Sequence, residues 1–511
     1  MGTGLIGFYR ERIPGSWKTA FFSAFFIGLL VHLYKFTNTL YIRDSILNTY
    51  TSQNIVGSGR WFLSIACAFS SWFDLPWVNG LFSLALIGAA AAVTVDFFRM
   101  ENPAVILLTG GFLAAFPAVT ATFFYEFTAD GYMLAMLLAA LTARFTRMGD
   151  RSGRHLAAAA VCLCLSCGTY QAYVSFALML SICHFLQELL EGRRSTAECF
   201  RWIGRQAAVY GAGLAAYYGI WKLCMRLENV SATDYQGIDQ VGRLSAGTLL
   251  GAVGKSLARL REFLLDWDIL SGGWTVYALL NALFLLALAL AVLTAVFRSG
   301  LLRRPAQLGL FLLAAAAIPF AACIWYFTSP DVVYHPLMLQ SLAVVYIWAA
   351  LLYDRWFSVR LSTLAGGLLA VLVVYFGIQA NISYFFLNRC GTASAALSGE
   401  VISRIHLLTE EETPTLAIIG RTFDHKRIDG EPGARAVHNM SQLLQTDILY
   451  DQGHLALFMK NVQGFDFVYA SPEEKTRLER SAEVAEMGCW PSPDAVKLID
   501  GVVVVKLAEP A

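Results

Sequence analysis

The sequence predicts a mainly α-helical, polytopic membrane protein with a small α/β domain at its C-terminus. Three observations carry that reading. Of 511 residues, 57% are hydrophobic and only 15% are charged, where soluble domains carry about 25%. The apolar residues come in runs of about 17–25, long enough for a helix to cross a bilayer. The charges gather in short loops and in a tail, from about Leu387 to Ala511, that holds most of the glutamates. The expected division is a bundle over 1–384 and a domain over 385–511. A formal net charge of +1 does not point to nucleic acid as a partner, since bulk electrostatics favour no acidic polymer.

Eleven spans are expected, near 18–38, 77–98, 103–122, 126–143, 155–172, 173–190, 205–225, 274–297, 306–327, 336–353 and 361–384. The first follows Arg10, Arg12 and Lys18 and has no convincing cleavage site after it, so it reads as a span rather than a signal peptide. Trp61–Phe73 is apolar but short, and reads as a helix at the membrane interface. With the N-terminus inside, one set of loops collects the arginines: Arg99, then Arg144, Arg147, Arg151 and Arg154, then Arg193, Arg194, Arg201 and Arg205, and later Arg298, Arg303, Arg304, Arg355 and Arg360. The turns near 121–128, 171–174 and 328–335 hold no Lys or Arg. This alternation follows the positive-inside rule. It places the Leu40–Trp61 loop, the Glu126/Asp130 turn, His335 and everything after about Ser383 on the outer side of a cytoplasmic membrane.

The long outer loop 226–273 departs from that pattern, carrying Arg226, Arg243, Lys255, Arg259 and Arg261. Its leucines fall at helical spacing. It reads either as an amphipathic helix facing anionic lipid heads or as a loop helix packed on the bundle. In the tail, Thr415–Gly420 and Phe465–Ala470 look like strands, and Pro472–Met487 like one charged helix. Asp500-Gly501 between two β-branched runs signals a hairpin through a type I′ turn. Eight of the ten cysteines lie in or beside the apolar part, where they act as small apolar residues. Cys390 and Cys489 lie in the tail, where an oxidising exterior permits a bridge; two unpaired thiols are the alternative. No cysteine spacing matches a metal site.

The outer-face polar residues form the candidate constellation. Asp44 follows the first span within Leu40–Trp61, with Arg43 before it and Arg60 near the loop's end. A carboxylate at the mouth of a membrane bundle is costly without a partner or a task, and we take Asp44 as the reactive group. Its plain alternative is a helix cap before Ser45. Arg60 beside Trp61 serves equally as an interfacial anchor. Glu126 reads as solvated loop or as a site residue, and Asp130, nearer the apolar run, as inward-facing. His335 before Pro336 reads as a helix start or a base. Gln171 on a tight turn is most simply a hydrogen-bond partner for backbone.

On these residues the chain resembles the bacterial membrane glucosyltransferases of the O-antigen-modifying type II family, the Glucosyl transferase GtrII family of the GT-C superfamily. The resemblance runs through Tyr-Ile-Arg-Asp at 41–44, Gly59–Trp61, Tyr125–Asp130, Thr169–Ser175, Tyr334–Met338 and the closing segment from Pro491 to Leu507. It implies a GT-C-like bundle and a hexosyltransferase. The implied donor is a polyprenyl-phosphate (undecaprenyl-type) sugar, usually glucose. The acceptor is a surface glycan such as O-antigen, at the outer side of the bacterial cytoplasmic membrane. It carries the catalytic role onto Asp44. Many relatives have two adjacent acids where this chain has Arg43-Asp44. That leaves open a divalent cation, magnesium or manganese, with Asp44 and Asp130 as the residues to hold it.

The chemistry suits these residues independently. Glycosyl transfer needs a base for the acceptor hydroxyl and cations for the departing phosphate. Guanidinium forks such as Arg60 or Arg43 suit the latter. Arg60, Asp130, Glu126, Arg43, His335 and Gln171 are therefore the expected substrate-binding residues around Asp44. A flippase or transporter of the same lipid-linked sugar is the rival reading, although the sequence shows no repeat symmetry of the kind transporters use. A polysaccharide polymerase or ligase shares the donor chemistry and differs in acceptor.

Overall fold

The computed structural model describes residues 12–149, 152–233, 246–266, 275–329, 332–420, 448, 449 and 451–509. They are mostly helical and fall into two compact units, one of residues 1–37 and 51–381, the other of 38–50 and 382–511.

The first unit is a helical bundle. Its helices are α1 (Gly15–Thr37), α3 (Leu63–Cys67), α4 (Pro76–Phe98), α5 (Pro103–Ala115), α6 (Pro117–Phe123), α7 (Ala129–Met148), α8 (Gly153–Thr169), α9 (Val174–Glu191) and α10 (Thr196–Glu228). After these come α11 (Ala246–Arg261), α12 (Val276–Arg298), α13 (Pro305–Ala322), α14 (Ala343–Trp356) and α15 (Val359–His406), the last crossing into the second unit. Among the described residues eight helices are long and apolar enough to cross a membrane: Gly15–Thr37, Pro76–Phe98, Pro103–Phe123, Gln171–Glu191, Val276–Arg298, Pro305–Ala322, Pro336–Trp356 and Val359–His406. Three further helices, α7, α8 and α10, lie where spans were expected. They fall short for local reasons: α7 carries Asp130, Arg144 and Arg147, α8 has 17 residues, and the apolar stretch of α10 is diluted by Gln206, Lys222, glycines and tyrosines.

Proline and polar caps set many of these starts. Pro76, Pro103 and Pro117 open α4, α5 and α6, where a missing N–H costs nothing. Asn102 and Ser152 accept bonds from the first turns of α5 and α8, and Ser195 with Glu198 builds a capping box on α10. The apolar stretch from Trp61 yields α3 and a 3-10 turn, Ala68–Ser70, rather than one helix. Helix α11 turns a small and polar stripe inward: Ala252, Ser256 and Arg259 are buried, whereas Leu249, Leu250 and Leu257 are exposed. Arg259 pairs with Glu262 at 2.6 Å, whereas Lys255 and Arg261 are on the exposed side.

The second unit is a small α/β fold. Its helices are α2 (Arg43–Leu47), α16 (Gln452–Asn461), α17 (Pro472–Glu479) and α18 (Ala482–Glu486), besides the end of α15. Its strands are β1 (Thr415–Ile419), β2 (Val468–Tyr469), β3 (Val496–Ile499) and β4 (Val502–Lys506). The sheet order is β2-β1-β4-β3. β1 runs parallel to β2 and β4, and β3 pairs antiparallel with β4. Asp500 (φ 50°) and Gly501 (φ 79°) are both left-handed, as the type I′ hairpin requires.

Both sheet faces are covered, and strand alternation divides the core in two. Leu416, Ile418, Val503 and Val505 join Phe458, Met459 and Ile46; Ala417, Ile419, Val502 and Val504 join Leu478, Val484 and Met487. The expected single helix over Pro472–Met487 is broken. Ser481 accepts a bond from the Val484 N–H at 3.2 Å and caps a new helix, the local competition that serine offers to helix continuation. Buried Lys506 donates to the carbonyls of Val484 and Met487 at 2.9 and 2.8 Å, satisfying the end of that helix. Cys390 and Cys489 are not joined by a disulfide.

Candidate functional site

Asp44 lies in the second unit. The helix holding it, α2, is capped at Ile42 through Ser45, whose hydroxyl accepts from the Ile42 N–H and donates to the Ile42 carbonyl, both at 2.9 Å. Asp44 is therefore not the cap. Its carboxylate makes no hydrogen bond or ion pair with the described residues. Burial raises its pKa above the usual carboxylate value, and the positive charges of Arg43 and then His454 pull it back. A half-buried, uncommitted carboxylate beside a guanidinium has the accessibility that a base requires.

The other candidates belong to the bundle. Gly59, with φ 83°, turns the chain where a Cβ would collide with Tyr217 and Gln171, so only glycine suits both the angle and the approach. That turn delivers Arg60 onto the start of α7. Its Nη1 donates to Tyr132 Oη at 3.0 Å, and its guanidinium lies 4.8 Å from the centre of the Tyr170 ring. The two tyrosine rings stack at 4.3 Å. Trp61 packs on Gly168, and the Phe62 N–H donates to the Gly168 carbonyl at 2.7 Å. Gln171 Nε2 donates to the Ser58 carbonyl at 2.8 Å and to Tyr217 Oη at 3.0 Å. Gln171 thus ties the turn to its neighbours, as its plainest reading had it.

Asp130 is in the first turn of α7, only 2% exposed, beside Ser70 and Cys67. Glu126, in the 3-10 turn Glu126–Thr128 just before it, is 1% exposed and is no solvated loop residue. Lys35, near the end of α1, places its Nζ 2.5 Å from Glu126 Oε2. Asn79 donates to the Glu126 carbonyl at 3.2 Å. Asp74 lies in the loop before α4, and burial raises its pKa against the opposing pull of Lys35. His335 is buried directly before the 3-10 turn Pro336–Leu342, which packs on the turn of Gln171. The bundle therefore gathers Arg60 and Gln171 around Tyr132, Tyr170 and Tyr217, with Asp130 against Ser70 and Cys67 and Glu126 held by Lys35. At the other end of α4 and α7, Asp96 takes Arg144 at 2.6 Å and Arg147 at 3.8 Å.

The Glucosyl transferase GtrII family matches residues 33–353, more than half of the chain and the stretch that includes all seven candidates. The chain belongs to that family. It is accordingly a glucosyltransferase, which takes a sugar donor and a glycan acceptor, and the transporter reading gives way. No curated protein and no solved structure matches the chain.

Some functional neighbours were not picked out from the sequence. Lys35 carried a signal, since a lysine inside an apolar run demands a partner. Tyr132 and Tyr170 sit within or beside recognised segments but carry no charge to mark them. Among the described residues no group of three or more His, Cys, Asp or Glu side chains is placed to hold a metal ion. Asp44 and Asp130, the pair named for a cation, fall in separate units.

Proposed function

We propose that this GtrII glucosyltransferase moves glucose from a polyprenyl-phosphate carrier to a surface glycan, on the outer side of a bacterial cytoplasmic membrane, with Asp44 as general base. The observation that carries the reading is the state of Asp44. Its helix is capped by another residue, and its carboxylate is raised in pKa and makes no hydrogen bond or ion pair with the described residues. Asp44 takes the acceptor hydroxyl's proton as the oxygen closes on the anomeric carbon, and the phosphate departs with the bonding electrons. Arg43, next to the carboxylate, is a cation for that phosphate. Arg60, held by the Tyr132 hydroxyl and over the Tyr170 ring in the bundle, offers a guanidinium for a sugar phosphate. The eleven-span topology and the GT-C-like arrangement belong to the same proposal. They are supported by the long apolar helices and by arginine clusters in one set of loops, set against outer turns near 121–128, 171–174 and 328–335 that hold no Lys or Arg.

Membranes supplied with radiolabelled polyprenyl-phosphoglucose test the proposal by the flow of label into surface glycan. Asp44→Asn keeps the size of the side chain and leaves the Ser45 cap untouched. We expect transfer to fall by about 10² or more, the usual share of a positioned base, with folding intact. A normally active Asp44→Asn protein overturns the assignment. Label building up in long polymer rather than in single glucose branches would make the enzyme a polymerase.

A further inference from the structure

At the ends of α4 and α7 away from Arg60 and Asp130, the bundle opens into a cleft of about 720 Å³. Four arginines line it: Arg99 just past α4, Arg144 and Arg147 on α7, and Arg194 in the turn after α9. Its carboxylates are Asp96, Glu101 and Glu188, one fewer than the cations. Asp96 serves two guanidiniums, Arg144 Nε at 2.6 Å and Arg147 Nη2 at 3.8 Å. Arg147 Nη1 donates to the Phe97 carbonyl, and Glu188 takes Arg194 through Nε. Glu101 stands exposed at the rim. The guanidinium of Arg99 and the Nη groups of Arg144 and Arg194 make no hydrogen bond or ion pair with the described residues. Arg144 is held in place by Trp17, its guanidinium 5.4 Å from the centre of that ring. Arg99 also stands where the backbone asks for glycine. Helix α4 closes with the Arg99 N–H on the Asp96 carbonyl at 3.1 Å and the Met100 N–H on the Val95 carbonyl at 3.0 Å. Arg99 itself is left-handed, with φ 54°. Glycine is the usual residue at that point of such a turn, and any other side chain is strained there. The strain brings a guanidinium to the mouth of the cleft.

We propose that this cleft is an anion site for a phosphate ester, supplied by the headgroup of an anionic phospholipid. Guanidinium forks suit phosphate oxygens, two N–H groups to a pair of oxygens. The Nη groups of Arg144 and Arg194 and the whole head of Arg99 are there to make such contacts. A phosphodiester carries one negative charge, which the single excess cation of the cleft balances. The arginine pattern assigns this end of the bundle to the inner interface, where basic pockets between membrane helices take anionic lipid heads. Trp17 beside the cleft is the residue type that settles at that depth. The plain alternative is a set of ion pairs that staples helix ends together. That accounts for Asp96 and Glu188 and leaves Arg99 without a carboxylate. A cation does favour a helix C-terminus, but one placed a residue or two earlier on α4 would serve without a left-handed backbone.

The test is equilibrium binding of radiolabelled phosphatidylglycerol to the purified full-length protein in detergent, with phosphatidylcholine and glycerol 3-phosphate as competitors and thermal unfolding as the folding control. We expect saturable binding that excess phosphatidylcholine does not displace. Arg99→Gly keeps the left-handed turn and removes the guanidinium, so it should fold like the parent. It should bind phosphatidylglycerol about fivefold more weakly, the worth of one basic residue beside an anionic head, and Arg99→Gln should do the same. Arg201, exposed on α10 on the same expected face, does not line the cleft, and Arg201→Gln should bind as the parent does. With Arg99 required, displacement of the lipid by glycerol 3-phosphate would assign the site to a soluble phosphate ester, and no displacement would assign it to the lipid. Folded Arg99 variants that bind like the parent overturn the proposal. So do equal binding of phosphatidylcholine, an equal loss in Arg201→Gln, and failure of both Arg99 variants to fold, which makes Arg99 structural.

Discussion

Arg60 is held by a hydrogen bond to Tyr132 and by the face of Tyr170, so its planar head is oriented before any substrate arrives. A contact of that kind acts on ground and transition states alike. We expect Arg60→Ala to raise KM for the donor about tenfold with little change in kcat, read from initial rates against donor concentration. With Asp44 as the proposed base, the pH dependence is expected to follow its ionisation. Its folded pKa is raised by burial, with Arg43 and His454 opposing, so the folded protein binds this proton more tightly than the unfolded chain does. Ionised Asp44 therefore costs stability above the folded pKa, and that cost is relieved as pH falls through it. As a base it works only when ionised. The acid limb of kcat/KM should then titrate above the ordinary aspartate value of about 3.9 and be absent from the residual activity of Asp44→Asn. An acid limb at or below that value would place the base elsewhere.

At the scale of elements, buried charge ties helix ends together. Lys35 on α1 and Glu126 in the turn before α7 sit 2.5 Å apart with almost no solvent, and Asp74 adds a second carboxylate nearby. Removing one partner leaves the other ionised in an apolar setting, at a cost of about 3–5 kcal/mol. Lys35→Ala should therefore lower the unfolding temperature sharply. Lys35→Met combined with Glu126→Gln should recover much of the loss, because no lone charge remains. If the double variant is no more stable than Lys35→Ala, the pair is not what joins these elements. The broken helix after Pro472 shows a smaller force at the same scale. One hydroxyl, that of Ser481, restarts the chain as α18 and lets Val484 and Met487 reach the sheet.

For the whole molecule, the positive-inside pattern makes a prediction that labelling of intact cells can check. Leu47 and Glu473 belong to segments expected outside, and Leu302 to a loop expected inside; all three are exposed. Cysteines at Leu47 and Glu473 should react with an impermeant thiol reagent above the labelling of the parent protein, and one at Leu302 should not. Protection of both outer positions would reverse the orientation and with it the outer-side transfer.

The membrane class, the Asp500-Gly501 hairpin and the family were all legible in the linear chain. Apolar run length, a two-residue turn needing left-handed angles, and ordered short segments are local properties that need no folded partner to be read. The Glu126–Lys35 pair was half legible: the lysine was visible as a charge inside an apolar run, but its partner stands 91 residues away and is chosen by how α1 packs against α4. Ser45 rather than Asp44 capping α2 is decided by side-chain angles that spacing cannot show. The face of α16 that meets Tyr41 and Ile46 was not legible at all. Nothing between residues 50 and 450 records that these two stretches share a core, since hydrophobic burial rewards contact irrespective of distance along the chain. Tertiary structure alone set the segment of Asp44 against α16.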